Sequence, residues 1–439
     1  MADEGRVTGQ VWRWTVLASM ASYIDAGSIV AGASGLALWQ SALHMNSAIV
    51  GLLAAFSSNA ISTAVGALIG GRLGDLWGRK RIYQFDLLVY AFGILWIVFA
   101  QSTWMLFVGY VLVGLAVGAD VPTSWSLVGE FSPNRARARL LGLTQVFWGL
   151  GPFVVLVLAF ALSPLGVLGT RIVFAHLFVV ALVTWALRQG MVESERWRQA
   201  EAAERAAGAS KANPFSFGNL RLLVSGPVLK GIAFTSIFYT LWNTAAGTNG
   251  FFLPYLLKTV GTQTQAQAVA FQCLSFALNI LAVTLLFMRF ADGSHRRLLL
   301  VVGMCSQVLA FAPLIFFPLN TPLALANIVL FALGGALAGE PFYRVWSQEL
   351  FPTMLRGTAQ GVTFAIARFE IGIWSFFVPI LVSTTGGLHG MALVLTLLLL
   401  ISGLVAIVFM PDTAGRSLEE IQQSRTEESS RPGAVELGS

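Results

Sequence analysis

Gly71-Arg-Leu-Gly-Asp75-Leu-Trp-Gly78-Arg79-Lys80-Arg81 packs four cations and one carboxylate into eleven residues. On either side the chain runs apolar for about twenty residues, over 46–70 and 82–101. An α-helix rises 1.5 Å per residue, so about twenty apolar residues match the roughly 30 Å hydrocarbon core of a bilayer. The strip therefore reads as a short polar turn between two membrane-spanning helices. The same alternation continues outward from it, with apolar spans at 12–40, 104–129, 138–162, 171–189, 229–255, 264–290, 298–318, 322–347, 358–383 and 389–410. This accounts for a chain of 439 residues that is 56% hydrophobic and only 11% charged, where a soluble domain carries about 25% charge. The expectation is an all-α polytopic membrane protein of twelve transmembrane helices, and an ordinary soluble enzyme is excluded.

The charges left over define topology. Arg72, Arg79, Lys80 and Arg81, then Arg135, Arg137 and Arg139, then residues 190–228, then Arg296 and Arg297, then Arg356 occupy alternate connections. By the positive-inside rule these loops and both termini face the cytoplasm of a cell membrane. The net charge of +6 is thus a topology signal and not a sign of nucleic acid. The first apolar run is too long for a cleaved signal peptide and is expected to remain as a span. Cys273 and Cys305 sit inside apolar runs without metal-ligand spacing, and no Walker A or nucleophile-elbow motif occurs, so no metal, cofactor or enzymatic chemistry is expected.

The longest interior connection, 190–228, opens with a charged helix-forming stretch from Glu193 and turns rich in Gly, Ser and Pro. It divides the chain into a first bundle over 1–189, a linker over 190–228, a second bundle over 229–410 and a tail over 411–439, polar from about 423 and expected to be partly disordered. The halves repeat. Asp75 and Arg79 recur as Asp292 and Arg296 at an offset of 217 residues; Glu130, Pro133 and Arg137 recur as Glu349, Pro352 and Arg356 at 219, as does Glu193 as Asp412. Two homologous six-helix halves related by an axis along the membrane normal explain one near-constant offset.

With these residues in view, the chain resembles the major facilitator superfamily, and most closely its sugar porter branch, over residues 12 to 422. The Gly71–Arg81 strip is similar to the superfamily loop signature G-x-x-x-D-R/K-x-G-R-R/K, with Leu76 in place of a basic residue. Glu130 to Arg137 and Glu349 to Gly357 resemble the sugar porter motif E-x-x-P-x-x-x-R-G, with Ala138 replacing the first Gly. Glu193-Ser-Glu-Arg196-Trp197 and Pro411 to Glu420 resemble two further motifs of the branch. The resemblance implies rocking halves and a cytoplasmic gate of charged pairs drawn from Asp75, Arg79, Arg81, Glu130, Arg137, Glu193, Asp292, Arg296, Glu349 and Arg356. On physical grounds alone these groups could instead fix only topology and loop shape.

Ionisable groups at bilayer depth cost roughly 2.5–3.5 kcal/mol each on insertion scales and are functional candidates by default. They are Asp25, Asp120, Glu340, Arg344, Arg368 and Glu370. Asp25 lies in a segment resembling the sugar porter G-Y-D-x-G, whose Asp accepts the proton in proton-coupled members. The Arg that usually partners it is absent, Tyr110 standing at that position, and Asp120 in Gly118-Ala-Asp120-Val-Pro122 resembles an Asp of phosphate and organic-anion relatives. Both are proton-coupling candidates. A structural, permanently hydrogen-bonded Asp25 is the alternative.

Gln145 falls on a position that sugar porters use to hold a sugar hydroxyl, with Trp148 on its face. Arg344 and Arg368 stand where hexose porters place tryptophans. Two guanidiniums built for bidentate contact point to a solute with an acidic group; alternatively Glu340 neutralises Arg344 one turn away and Glu370 neutralises Arg368 through a neighbouring helix. Asn243 and Asn249 are added as polyol contacts, with Ser22, Asn59 and Trp125 weaker. The expectation is a monomeric proton-coupled symporter, embedded in the lipid bilayer, of a sugar-like anionic solute: a sugar acid, sulfonated sugar or hydroxylated organic anion. The alternatives are a neutral hexose, pentose or inositol symporter or uniporter, and a non-transporting solute sensor.

Overall fold

A computed structural model describes residues 7–56, 60–206, 223–224, 226–259, 264–384 and 387–430. Seventeen α-helices are described: α1 (Gly9–Ala42), α2 (Ser47–Ala55), α3 (Ile61–Trp77), α4 (Arg79–Val98), α5 (Thr103–Phe131), α6 (Arg137–Ala161), α7 (Val167–Arg188), α8 (Glu195–Ala206), α9 (Gly226–Thr259), α10 (Gln265–Ala282), α11 (Met288–Phe290), α12 (Arg296–Phe311), α13 (Thr321–Ala338), α14 (Glu340–Glu349), α15 (Arg356–Thr384), α16 (Leu388–Val408) and α17 (Leu418–Ser430). Among the described residues ten helical stretches are long and apolar enough to cross a membrane. The other two expected spans are α2 with α3, on either side of residues 57–59, and α9.

Large apolar side chains such as Phe85, Phe99, Phe160, Phe376 and Val408 face outward. In water this would be a liability; against lipid tails it costs nothing, and the bundle must be held by close packing and polar contacts instead. Small residues supply the closeness. A Cβ at Gly66 would come within 2.2 Å of the Leu115 carbonyl, and one at Gly70 within 2.3 Å of the Ala119 Cα, so α3 and α5 cross almost backbone to backbone. Gly151 does the same for α6 against the Tyr23 carbonyl of α1. Between the halves, a Cβ at Gly71 would sit 2.2 Å from the Gly357 carbonyl and one at Gly361 would sit 2.3 Å from that of Ala67. Contact this tight between α3 and α15 is possible only because the halves are closed together at the cytoplasmic end.

Two local departures shape the interior. The tenth span is not one helix: Gly339 takes a non-helical backbone and Pro341 follows in the first turn of α14, where its missing N–H is an orphan in any case. Gly339 also admits Trp242, whose ring would lie 2.4 Å from an added Cβ. The break puts Glu340 in the first turn of a new helix, where the dipole favours its charge, and Arg344 one turn on. The eighth span carries a π-helical turn over Val283–Phe287 between α10 and α11. The tail departs from expectation: α17 continues past residue 423 to Ser430, started by a reciprocal cap in which Ser417 N donates to Glu420 (2.9 Å) and Glu420 N to Ser417 Oγ (3.1 Å), with Arg425 donating to the Pro227 carbonyl. Residues 207–222 of the linker and 431–439 of the tail lie outside the described residues, as does Asn59.

Candidate functional site

At the centre, Arg344 of α14 reaches from one half into the other. Its Nη1 donates to Ser22 Oγ of α1 (3.1 Å) and Thr144 Oγ1 of α6 (2.5 Å), its Nη2 lies 3.3 Å from Glu340 Oε1, and its guanidinium stacks 4.2 Å above the Trp125 ring. Arg368 of α15 makes the second crossing, with Nη2 3.7 Å from Asp25 Oδ2 and the guanidinium 4.6 Å from the Phe364 ring. Tyr239 of α9 donates to Glu340 Oε1 (3.2 Å) and stacks face to face on Tyr343 at 3.9 Å. All four charged groups are buried. Two carboxylates match two guanidiniums, so the cluster closes electrically without a guest.

This corrects the sequence expectation of an anion site built on two free arginines. Arg344 is neutralised by Glu340, as the alternative reading had it. The partner of Arg368 is Asp25 on the opposite half, not Glu370, whose Oε1 accepts from Thr244 Oγ1 at 2.9 Å. An anion entering here would have to displace a carboxylate from each arginine.

The polar positions divide in two. Asn249 makes a helix-to-helix link, its amide donating to Asn327 Oδ1 (3.1 Å), while Asn327 Nδ2 donates to the Ala310 carbonyl (2.9 Å). Gln145 Oε1, Trp148 Nε1, Asn243 Nδ2, Asp25 Oδ1 and Glu370 Oε2 are buried and find no protein partner among the described residues. Buried groups left unpaired cost about 1–3 kcal/mol each, and here donors and acceptors are mixed.

Asp120 stands apart from this centre, 3.2 Å from Arg188 of α7 and near Asp86 of α4. Arg188, Asp86, Tyr239, Tyr343 and Thr144 were absent from the sequence reading. Both charges are legible in the sequence, Asp86 inside the apolar run 82–101 and Arg188 at the end of the run 171–189.

The cytoplasmic groups form one network with the pseudo-symmetry of the repeat. Each glutamate takes one arginine from each half: Glu130 pairs with Arg79 (3.2 Å) and Arg356 (2.8 Å), Glu349 with Arg296 (3.1 Å) and Arg137 (3.2 Å). Each aspartate holds the start of a helix in the opposite half. Asp75 accepts from Gly357 N (3.0 Å) and Thr358 N (2.7 Å) of α15, and Asp292 from Ala138 N (2.7 Å) and Arg139 N (2.8 Å) of α6. Asp75 also pairs with Arg79 at 2.9 Å. Burial pushes the Asp292 carboxyl above the ordinary carboxylate range against these two N–H donors. Glu193 accepts from Arg79 N (3.2 Å) and Lys80 N (3.0 Å), capping α4. Its repeat partner Asp412 does not follow; it is exposed and pairs with Arg416 (2.9 Å). Arg81 is exposed, which separates it from the buried pairs.

A family model described as "Sugar (and other) transporter" matches residues 38–424. The chain is 41% identical over 411 residues to the minor myo-inositol transporter IolF of Bacillus subtilis, covering 93% of each. It is 26% identical over 425 residues to the major myo-inositol transporter IolT of the same organism, covering 87% of each. Among solved structures, the proton:xylose symporter XylE bound to 6-bromo-6-deoxy-D-glucose superposes with a TM-score of 0.82 at 17% identity, covering 94% of this chain and 98% of that one. These matches, with the two glycine-packed halves and the apolar outer surface, make the protein a multi-pass cell-membrane transporter and not an enzyme. The chain belongs to the sugar (and other) transporter family, and its fold is that of the major facilitator superfamily structures it superposes on.

Proposed function

We propose that this protein is an alternating-access symporter that moves an uncharged cyclic polyol of the myo-inositol class together with a proton. The observation that carries the reading is the electrical closure of the central cluster: Asp25 and Glu340 match Arg368 and Arg344, leaving buried, uncharged Gln145 Oε1, Trp148 Nε1 and Asn243 Nδ2 with no hydrogen-bond partner among the described residues. A ring bearing a hydroxyl at every carbon both donates and accepts, and supplies the partners these atoms lack. The myo-inositol transporters among its relatives agree with that chemistry.

Asp25 is the proton acceptor in this reading. With Asp25 ionised, the Arg368 contact ties the halves together; with Asp25 neutral that tie weakens, so protonation and rocking bias each other. The buried Glu130 and Glu349 pairs then serve as the inner gate, drawn closed in the state described here. The reading places the site and the gate within one chain, with the monomer as the working unit.

The test is counterflow and uptake in proteoliposomes. Labelled myo-inositol is expected to exchange, an acid-outside gradient is expected to drive its accumulation, and its carboxylated sugar counterparts are expected to compete poorly. Preference for a sugar acid over the neutral polyols would overturn the substrate class. Accumulation indifferent to the gradient would overturn the coupling.

A further inference from the structure

One cluster of ionisable groups belongs neither to the central site nor to the gate. Asp86 of α4, Asp120 of α5 and Arg188 in the last turn of α7 are buried together, with exposures of 5%, 4% and 0%. Arg188 Nη1 lies 3.2 Å from Asp120 Oδ2 and 3.9 Å from Asp86 Oδ1; its Nε and Nη2 both donate to the Leu17 carbonyl of α1 at 3.2 Å, and its guanidinium sits 3.5 Å from the Tyr83 ring. Asp86 and Asp120 thus share Arg188 as their one cation. The remaining oxygens, Asp86 Oδ2 and Asp120 Oδ1, have no partner among the described residues. Tyr83, Asp86, Asp120 and Arg188 are the titratable groups here; α1 contributes the Leu17 carbonyl, and α3 backs α5 with Gly66 and Gly70.

The count does not close. One guanidinium neutralises one carboxylate, and a second carboxylate ionised at this depth would be an uncompensated buried charge, costing several kcal/mol. Leu17 further lines a cavity of about 440 Å³, with Gln10, Arg13, Leu187 and Gly190, at the cytoplasmic ends of α1 and α7. Leu17, whose carbonyl Arg188 holds, is thus a residue shared by the cluster and the cavity lining. Along α1, Asp25 is eight residues on, about 12 Å of helix.

We propose that Asp86 and Asp120 form a second proton-binding site, held by Arg188 and exchanging with the cytoplasm through the cavity between α1 and α7. The proton leaves a carboxyl oxygen of the pair for cavity water. The cluster then passes from neutral to singly negative, with Arg188 shared between two carboxylates. The role in coupling rests on the proton-symport reading above; the existence of the site does not.

Infrared difference spectra of the purified protein against pH read the pair directly through the carbonyl stretch of a protonated carboxyl. Wild type is expected to show such a band beyond those of Asp25 and Glu370, which Asp25→Asn and Glu370→Gln identify and remove. Asp86→Asn and Asp120→Asn are each expected to lose it, because the carboxylate that remains is matched by Arg188 and stays ionised. Each Asn copies a protonated Asp in size and charge, and should one variant fail to fold, the other reads the same band. A band that survives in both, or is absent from wild type, overturns the site. In proteoliposomes, the ratio of gradient-driven accumulation to exchange is expected to fall in Asp86→Asn to its value without a gradient; a wild-type ratio there overturns the role in coupling. A wild-type protein that ignores the gradient would sink the symport reading, while the infrared band still decides the pair.

Discussion

Replacing Glu130 by Gln keeps the shape of the gate and removes its charge. Glu130 is buried and receives Arg79 at 3.2 Å and Arg356 at 2.8 Å, one from each half. Breaking a buried pair by deleting one partner costs about 3–5 kcal/mol, because the other charge is left uncompensated. Both arginines keep something: Arg79 retains Asp75 at 2.9 Å, and Arg356 Nε retains the Gln348 carbonyl at 3.0 Å. The lower end, about 3 kcal/mol, therefore applies, and since about 1.4 kcal/mol is tenfold, the ratio of cytoplasm-open to cytoplasm-closed molecules rises about a hundredfold. Ser126 reports on this: it is buried in α5 and donates to Gln360 Oε1 across the closed interface at 3.3 Å. With Cys273 and Cys305 changed to Ser, a Ser126→Cys probe is expected to react with a membrane-impermeant maleimide from the cytoplasmic side about a hundredfold faster when Glu130→Gln is added, as long as the open state stays in the minority. An unchanged rate would refute the gate and leave the pairs as fixtures of loop shape.

Gly71→Ala places a Cβ 2.2 Å from the Gly357 carbonyl; overpacking of about 1–3 kcal/mol should hold the halves apart and raise the same maleimide rate roughly tenfold to a hundredfold, and no rise would show that α3 and α15 yield without opening. Arg344→Gln strands Glu340 and is expected to lower stability by about 3–5 kcal/mol, with Glu340→Gln/Arg344→Gln recovering most of it in thermal unfolding; failure to recover would mean that Arg344 is held chiefly by Ser22 and Thr144. Gln145→Ala is expected to raise the half-saturation concentration for polyol uptake about tenfold, one hydrogen bond of roughly 1–1.5 kcal/mol, and an unchanged value would take Gln145 out of the site.

The repeat in sequence carried the cytoplasmic network a long way, because paired motifs at one offset announce paired contacts: Glu130 and Glu349 do hold equivalent arginines. It failed at Asp412, where the offset is kept but the side chain points to water. At the centre the reading identified charged positions and missed their pairing. Arg368 meets Asp25 across 343 residues of chain, a contact no helical spacing encodes. Asn249 reads as a free amide until Asn327, 78 residues on, takes it. The depth of Arg188, at the end of an apolar run, depends on where α7 ends relative to α1.

What the sequence alone determined was the set of elements: apolar runs long enough to span, cations marking the cytoplasmic side, glycines and prolines marking close approach and breaks, and a doubled motif marking two halves. These follow from the cost of exposing backbone and charge to lipid, which acts on each span by itself. Tertiary structure alone decided which charges neutralise each other, and so whether the centre suits an anion or a neutral polyol. Pairing at 3–4 Å depends on how helices far apart in sequence cross, and one ångström of that geometry separates a closed ion pair from an open binding site.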